Sequence, residues 1–306
     1  MKTNTLWQKY LDEFKCITNK SNSIYSPVST RHALQLYSYF KIDDVNEYIG
    51  NTNYLKYSNI KNALTYINRV WINKSAHLII PEEIIDYCYR LDMSNVRKAT
   101  KIKNDFVADC TDNFIKNTPT ILDDSVKFDI MNITYFKDTW YKKSYVKRPL
   151  QFTNIDNKQV IVDSFKAEIM TAYENDTCYV AKLDYKHDCS FYAIKPKKSL
   201  EEVNLNNLKL VKYNKINLIT PIFTAEDSHK LNDIFNIKCD IIQTAKIELD
   251  EKGTKAAAVT EIVTKCAVKP TKKESLDIIL NSPFYYMIED TKNEDIIFIG
   301  SIGQLG

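Results

Sequence analysis

Glu251-Lys252-Gly253-Thr254-Lys255-Ala256-Ala257-Ala258-Val259-Thr260-Glu261-Ile262-Val263-Thr264-Lys265-Cys266-Ala267 is the stretch that decides how this chain is read. Helix propensity would allow its alanines a helix, and an exposed helix or loop is the plain alternative. With a period of two it sorts differently. Thr254, Ala256, Ala258, Thr260, Ile262 and Thr264 share one parity and carry no charge. Lys255, Glu261 and Lys265 share the other. As a strand, the segment therefore has one face fit for burial and one fit for water. Gly253 stands at its head, where a residue without Cβ frees the backbone to pivot.

The rest of the chain supplies a setting for such a strand. It has 306 residues, 44% of them hydrophobic, five Gly, eight Pro and a formal charge of +3. That composition excludes disorder and a small disulfide scaffold, and the small positive excess gives no argument for nucleic acid. No apolar run is long enough for a membrane span. Met1 to Phe14 has Lys2, Lys9, Asp12 and Glu13 where a signal peptide needs an apolar core; Trp7, Tyr10, Leu11 and Phe14 instead mark an amphipathic helix. The seven cysteines (16, 88, 110, 178, 189, 239 and 266) lack metal-ligand spacing and read as free thiols of a reducing compartment. A cytoplasmic protein is expected.

Ser26-Pro27 begins a helix, Ser as cap and Pro at the first helical position. Pro81 with Glu82 and Glu83 opens another, and further helices are expected over residues 104–116 and 227–235. Strands are expected over 126–136, 178–183, 190–194, 216–223, 246–250, 276–280, 284–288 and 296–299. Helices first and strands afterwards give an α+β fold with large, mainly antiparallel sheets, as one domain over 1–306. No phosphate loop, dinucleotide fingerprint, zinc-protease motif or nucleophile elbow occurs, and the four histidines are scattered. No catalytic residues, metal or cofactor are expected. The Lys clusters at 195–198 and 269–273 read as solvated loops, since neither is interleaved with aromatics.

The opening stretch resembles the proximal hinge and bait loop of a serpin, matched by Glu251, Gly253, Thr254, Ala256, Ala257, Ala258 and Thr260. Four further groups follow in family order. Asn22, Ser26, Pro27 and Ser29 resemble the helix start beneath the central sheet. Asn104, Phe106, Val107, Thr111 and Ile115 resemble the helix crossing that sheet. Asn132, Tyr135, Phe136, Lys137 and Trp140 resemble the end of the strand where loop insertion begins. Pro283-Phe284 and Ile297 to Gly300 resemble the C-terminal strands. There are departures. The chain is short for the family, with deletions before Asn62 and between Phe235 and Ala245. Gln243 replaces the usual shutter His, so the hydrogen bonds implied there need another source. Lys255 replaces a common acidic residue, and Asn113 a Gly. Short, Lys-rich and without a leader, the chain is most similar to the intracellular serpins of poxviruses.

The resemblance implies a suicide inhibitor, not an enzyme. Its partner is a target protease, trapped as a covalent acyl-enzyme by a monomer without cofactor. The alternative is a non-inhibitory binding or decoy protein of the same fold. The reactive-centre loop spans about 251–275. Counting fourteen residues on from Gly253 reaches Ala267, so the expected reactive bond is Ala267–Val268, with Lys265–Cys266 and Cys266–Ala267 as alternatives. Cleavage after Lys269 is disfavoured by Pro270, and no Asp lies between Glu251 and Leu276 to suit a protease that cuts after Asp.

Overall fold

The helical spacing of Trp7, Tyr10, Leu11 and Phe14 buries all four side chains along the first element of the computed structural model. The structure describes residues 2–118, 120–142, 145–235, 237, 242–254 and 275–306. In chain order the elements are α1 (Lys2–Ile17), β1 (Ser23–Tyr25), α2 (Pro27–Ser38), α3 (Asn46–Ile49), β2 (Leu64–Asn73) and β3 (Cys88–Leu91). Next come α4 (Val96–Cys110), β4 (Phe128–Phe136), β5 (Asp138–Thr139), β6 (Lys147–Thr153), β7 (Gln159–Ile169) and β8 (Thr171–Glu174). After these are β9 (Cys178–Asp184), β10 (Cys189–Pro196), β11 (Lys209–Leu210), β12 (Lys215–Pro221), β13 (Phe223–Lys230) and α5 (Asn232–Phe235). The last are β14 (Ile242–Asp250), β15 (Gly253–Thr254), β16 (Ser275–Ile279), β17 (Phe284–Asp290) and β18 (Asp295–Ile302). The fold is α+β with mainly antiparallel sheets, in the expected order.

Two compact units emerge: residues 1–24, 136–225 and 247–306 form the first, and residues 25–135 and 226–246 the second. The first is built on a sheet ordered β1-β18-β17-β10-β9-β8-β11 and on a four-stranded sheet β16-β12-β7-β6. β17 and β18 are buried at every position, which explains why the end of the chain reads as unbroken apolar runs. Trp7 of α1 packs against Tyr192 of β10 (ring centroids 4.5 Å apart), and Phe14 meets Tyr285 of β17 edge-on. The last sheet has the order β13-β14-β15-β5.

In the second unit, α2 starts as its sequence dictates: the Ser26 hydroxyl accepts from the Ser29 N–H (3.2 Å) and Pro27 takes the first helical position. β3, β2 and β4 form a sheet in that order. α4 packs on it through Ala99 and Val107 against Trp71, Met131, Ile133 and Tyr135.

Three expected helices are corrected. The helix placed at 104–116 runs over Val96–Cys110, capped by Asn95, whose side chain accepts from the Lys98 N–H. Its first half is rich in Lys and Arg, which hides the apolar spacing. It ends because Asp112 (φ 49°) and Asn113 (φ 60°) turn left-handed; Asn tolerates that conformation where the family has Gly. The helix opened by Pro81 is a six-residue 3-10 turn over Glu82–Tyr87, followed by strand β3 parallel to β2. Residues 227–230 belong to strand β13, whose side chains alternate buried and exposed at every step, leaving only Asn232–Phe235 helical. Sequence reading also left β2, β6 and β7 unassigned.

His32 of α2 lies wholly buried, stacked on Tyr66 at 5.1 Å with Tyr54 and Tyr57 around it. Burial pushes its pKa down to about 4, so it is neutral in the fold and charged in the unfolded chain below about 6.5. The unfolded state therefore binds more protons between those values, and stability falls as pH drops through that window. At about 1.36 kcal/mol per pH unit, lowering pH from 7 to 5 costs about 2 kcal/mol through this residue. In urea melts at both pH values, His32→Gln is expected to shrink the acid loss by that amount; an unchanged loss would show that His32 does not cause it.

Candidate functional site

The first unit holds the head of the decisive stretch. Asp250 closes a tight turn, its carboxylate accepting from the N–H groups of Lys252 (2.7 Å) and Gly253 (3.0 Å). Gly253 has φ +152°, and a methyl there would overlap the Asp138 carbonyl oxygen, so only glycine fits. The chain then enters the sheet. Thr254 stands opposite Leu249 of β14 on one side and Asp138 of β5 on the other, and Gly253 opposite Asp250 and Thr139, antiparallel to both. The resemblance implied insertion from Thr254 onward after cleavage; here Gly253 and Thr254 already form a strand in the uncut chain.

The side chains around this strand are packed and bonded. Thr254 is 2% exposed, and its hydroxyl lies 2.7 Å from the Tyr185 hydroxyl. Tyr185 is fully buried, which drives its phenol pKa well up, and it stacks on Trp140 at 4.5 Å. Trp140 fastens the turn from two atoms, donating from its backbone N–H to the Lys252 carbonyl (3.0 Å) and from Nε1 to the Asp250 carbonyl (2.9 Å). Glu251 accepts at its carbonyl from the Tyr145 N–H (2.9 Å), and Lys147 lies 3.6 Å from its carboxylate. Asp138, buried in β5, accepts from the His187 N–H and contacts the His187 ring nitrogen at 2.9 Å. Trp140 was legible from the sequence; Tyr185, Asp138, His187 and Asp250 were not.

The second unit holds the residues expected at the shutter. Gln243 of β14 is 7% exposed. Its Oε1 accepts from the Ser26 N–H (2.8 Å), and its Nε2 donates to the Ser26 carbonyl (2.7 Å) and the Thr30 hydroxyl (2.8 Å). The hydrogen bonds that the missing His left open are thus supplied by a glutamine amide, which is donor and acceptor at once. Pro27 and Ser29 lie beside them, both buried in the first turn of α2. Asn132 of β4 donates to Asn68 Oδ1 (2.9 Å) and accepts from the Thr134 hydroxyl (3.0 Å). Asn68 in turn bonds the His32 ring at 3.0 Å.

Also in this unit, a cavity of about 100 Å³ lies beneath α4, with Met131 and Ile133 of β4 on one side and Ile242 and Thr244 of β14 on the other. β4 is the edge of its sheet, and β14 is flanked by β13 and β15, so among the described residues no strand fills the place between β4 and β14 in this unit. Ala256, Ala257, Ala258, Thr260, Lys265, Cys266, Ala267 and Val268 lie outside the described residues.

Comparison with known proteins accounts for this arrangement. The family model described as Serpin (serine protease inhibitor) matches residues 2–238 and 219–304. Human leukocyte elastase inhibitor is 25% identical over 88% of this chain and 86% of its own length. Iripin-3 from Ixodes ricinus is 24% identical over 70% of this chain, the match spanning 64% of that protein's length. Serpin-Z2 of Arabidopsis thaliana is 27% identical over 56% of this chain and 48% of its own length. Among solved structures, the thermophilic serpin tengpin in its native state superposes with a TM-score of 0.82 at 20% identity, covering 99% of this chain and 94% of that one. A family model that takes in almost every residue, on a fold whose strands bracket a glycine-led segment, makes this chain a member of the serpin family.

Proposed function

We propose that the chain is a suicide inhibitor of a serine protease. The observation that carries this reading is the seating of Gly253 and Thr254 between β14 and β5, with the segment that follows them uncharged on alternate residues. The protease serine attacks the carbonyl carbon of the reactive bond. The amide breaks, an ester to the protease forms, and the new amine leaves with the downstream chain. The upstream segment, freed at one end, extends β15 along β14 with its uncharged parity toward the core. It draws the tethered protease along and distorts its active site before the ester can be hydrolysed. The hydrogen bonds of Gln243 to Ser26 and Thr30 favour this reading over a non-inhibitory decoy, because they hold the shutter together without the usual His.

The reactive bond proposed is Ala267–Val268. Its small residue suits the shallow specificity pocket of an elastase-like protease, and relatives from pig and human carry the name leukocyte elastase inhibitor. The free cysteines Cys16, Cys88, Cys110, Cys178 and Cys189 suit the reducing cytoplasm, and the Lys-rich composition supports a poxvirus source. Incubation with an elastase-like protease is expected to give a covalent complex that survives denaturing electrophoresis and to release a peptide beginning at Val268. A peptide beginning at Cys266 would move the target to the trypsin-like class. Cleavage without any stable complex, across proteases of both classes, would sink the inhibitor reading.

A further inference from the structure

The wall on which the hinge pairs is a strand of two residues, and a side-chain pair holds it from behind. β5 stands at the edge of its sheet, with β15 as its strand neighbour. Beyond β5, the turn that joins β9 to β10 takes the place of a further strand. The Tyr141 N–H donates to the Asp184 carbonyl (3.0 Å), Trp140 and Tyr185 form an antiparallel bridge, and the Lys186 N–H donates to the Thr139 carbonyl (2.8 Å). Each step back along 141, 140 and 139 is matched by one step forward along the turn, so His187 falls opposite Asp138.

At that position a carboxylate replaces the main chain as acceptor. Oδ2 of Asp138 accepts from the His187 N–H (3.0 Å); Oδ1 accepts from the Thr139 N–H (2.8 Å) and lies 2.9 Å from His187 Nδ1. The Asp138 side chain is 2% exposed and that of His187 31%. An ionised carboxylate only accepts, so His187 carries a proton on Nδ1. A buried carboxylate is stable only where its oxygens are met. Among the described residues no Lys or Arg pairs with this one; its partners are two backbone N–H groups and one imidazole. Without the imidazole, Oδ1 would keep the Thr139 N–H alone, at the very residue that stands opposite Thr254 and whose carbonyl crowds Gly253.

We propose that His187 is a positioning residue for the seat of the hinge: through Asp138 it fixes β5 as the wall against which Gly253 and Thr254 pair. Trp140 and Tyr185 secure the turn and the Thr254 hydroxyl, whereas His187 secures the strand on the other side of them. The geometry belongs to the uncut chain. Its use rests on the inhibitor reading above, in which β15 is the strand to be lengthened. With a loose wall, lengthening starts from an unsteady first pair, and more of the protease escapes by hydrolysis.

Amide hydrogen exchange at Thr254 in the intact protein tests the seat, with Met287 of β17 as an internal reference. His187→Ala is expected to speed exchange at Thr254 by roughly tenfold or more, the worth of one hydrogen bond to a charged group, and to leave Met287 unchanged. His187→Asn, whose side-chain amide can donate where Nδ1 does, should restore most of the protection. On an Asp138→Ala background, His187→Ala should add nothing. Unchanged exchange at Thr254, equal acceleration at Met287, equal loss of protection in His187→Asn, or the same added effect without Asp138 would each overturn the proposal. The share of covalent complex against cleaved product with an elastase-like protease then reads the use. His187→Ala should lower that share, and an unchanged share beside faster exchange would overturn the role in insertion. A wild type that forms no complex with any protease would defeat the inhibitor reading alone, because the exchange result decides the seat without a protease.

Discussion

A single cut between residues 264 and 268 is expected to raise the melting temperature far beyond the roughly 2–4 °C that 1 kcal/mol produces in a chain of this size. The described part of β15 covers Gly253 and Thr254, and among the described residues no strand fills the place between β4 and β14. Each residue added to the strand gains about two backbone hydrogen bonds, worth roughly 1 kcal/mol apiece net. Ordering its backbone costs roughly 1–2 kcal/mol, so the bonds and the ordering nearly cancel. Burial of the alternate side chains then decides the sign. Ala256, Ala258, Thr260 and Ile262 are all small or apolar, and Ile262 alone contributes about 1.5–3 kcal/mol if fully covered. The balance favours insertion once the cut lets the segment reach. Thermal melts of intact and singly nicked protein check this directly. Coincident melts would mean that the nicked segment stays out of the sheet.

Thr254→Arg is expected to abolish stable inhibition while leaving the loop cleavable. The structure makes the reason local. Thr254 is buried against the stacked pair of Tyr185 and Trp140, with its hydroxyl bonded to Tyr185. An Arg there has no carboxylate to meet, and an unpaired buried charge costs several kcal/mol. β15 would be expelled and further insertion slowed until water hydrolyses the acyl-enzyme, so the protein becomes a substrate. Thr254→Val, which keeps shape and adds no charge, should retain inhibition. The readout is the ratio of covalent complex to cleaved product on a denaturing gel. Complex formation by Thr254→Arg at the wild-type yield would show that this side chain does not have to enter the sheet.

Much of this protein is written in local pattern, because local pattern reports what each residue can bury. The parity of the hinge, the Ser26-Pro27 helix start and the apolar runs of β17 and β18 were legible for that reason. Where charged residues occupy exposed turns of a buried element the pattern blurs, which is why α4 begins earlier than its apolar spacing suggests and the end of β13, residues 227–230, resembles a helix although every second residue of the strand is buried. Partnership between distant residues is a different matter. Gln243 meets Ser26 across 217 positions, Tyr185 meets Thr254 across 69, and Lys103 meets Asp129 across 26. A hydrogen bond or ion pair acts over about 3 Å, and nothing in the identity of one partner names the other. The sequence by itself determined the family, the order of elements and the uncharged parity of the segment after Gly253. The tertiary structure alone decided that Gly253 and Thr254 are already inside the sheet, that a glutamine bonds Ser26 and Thr30, and that a buried lysine of α4 pairs with Asp129, because each depends on which atoms the folded chain brings within bonding distance.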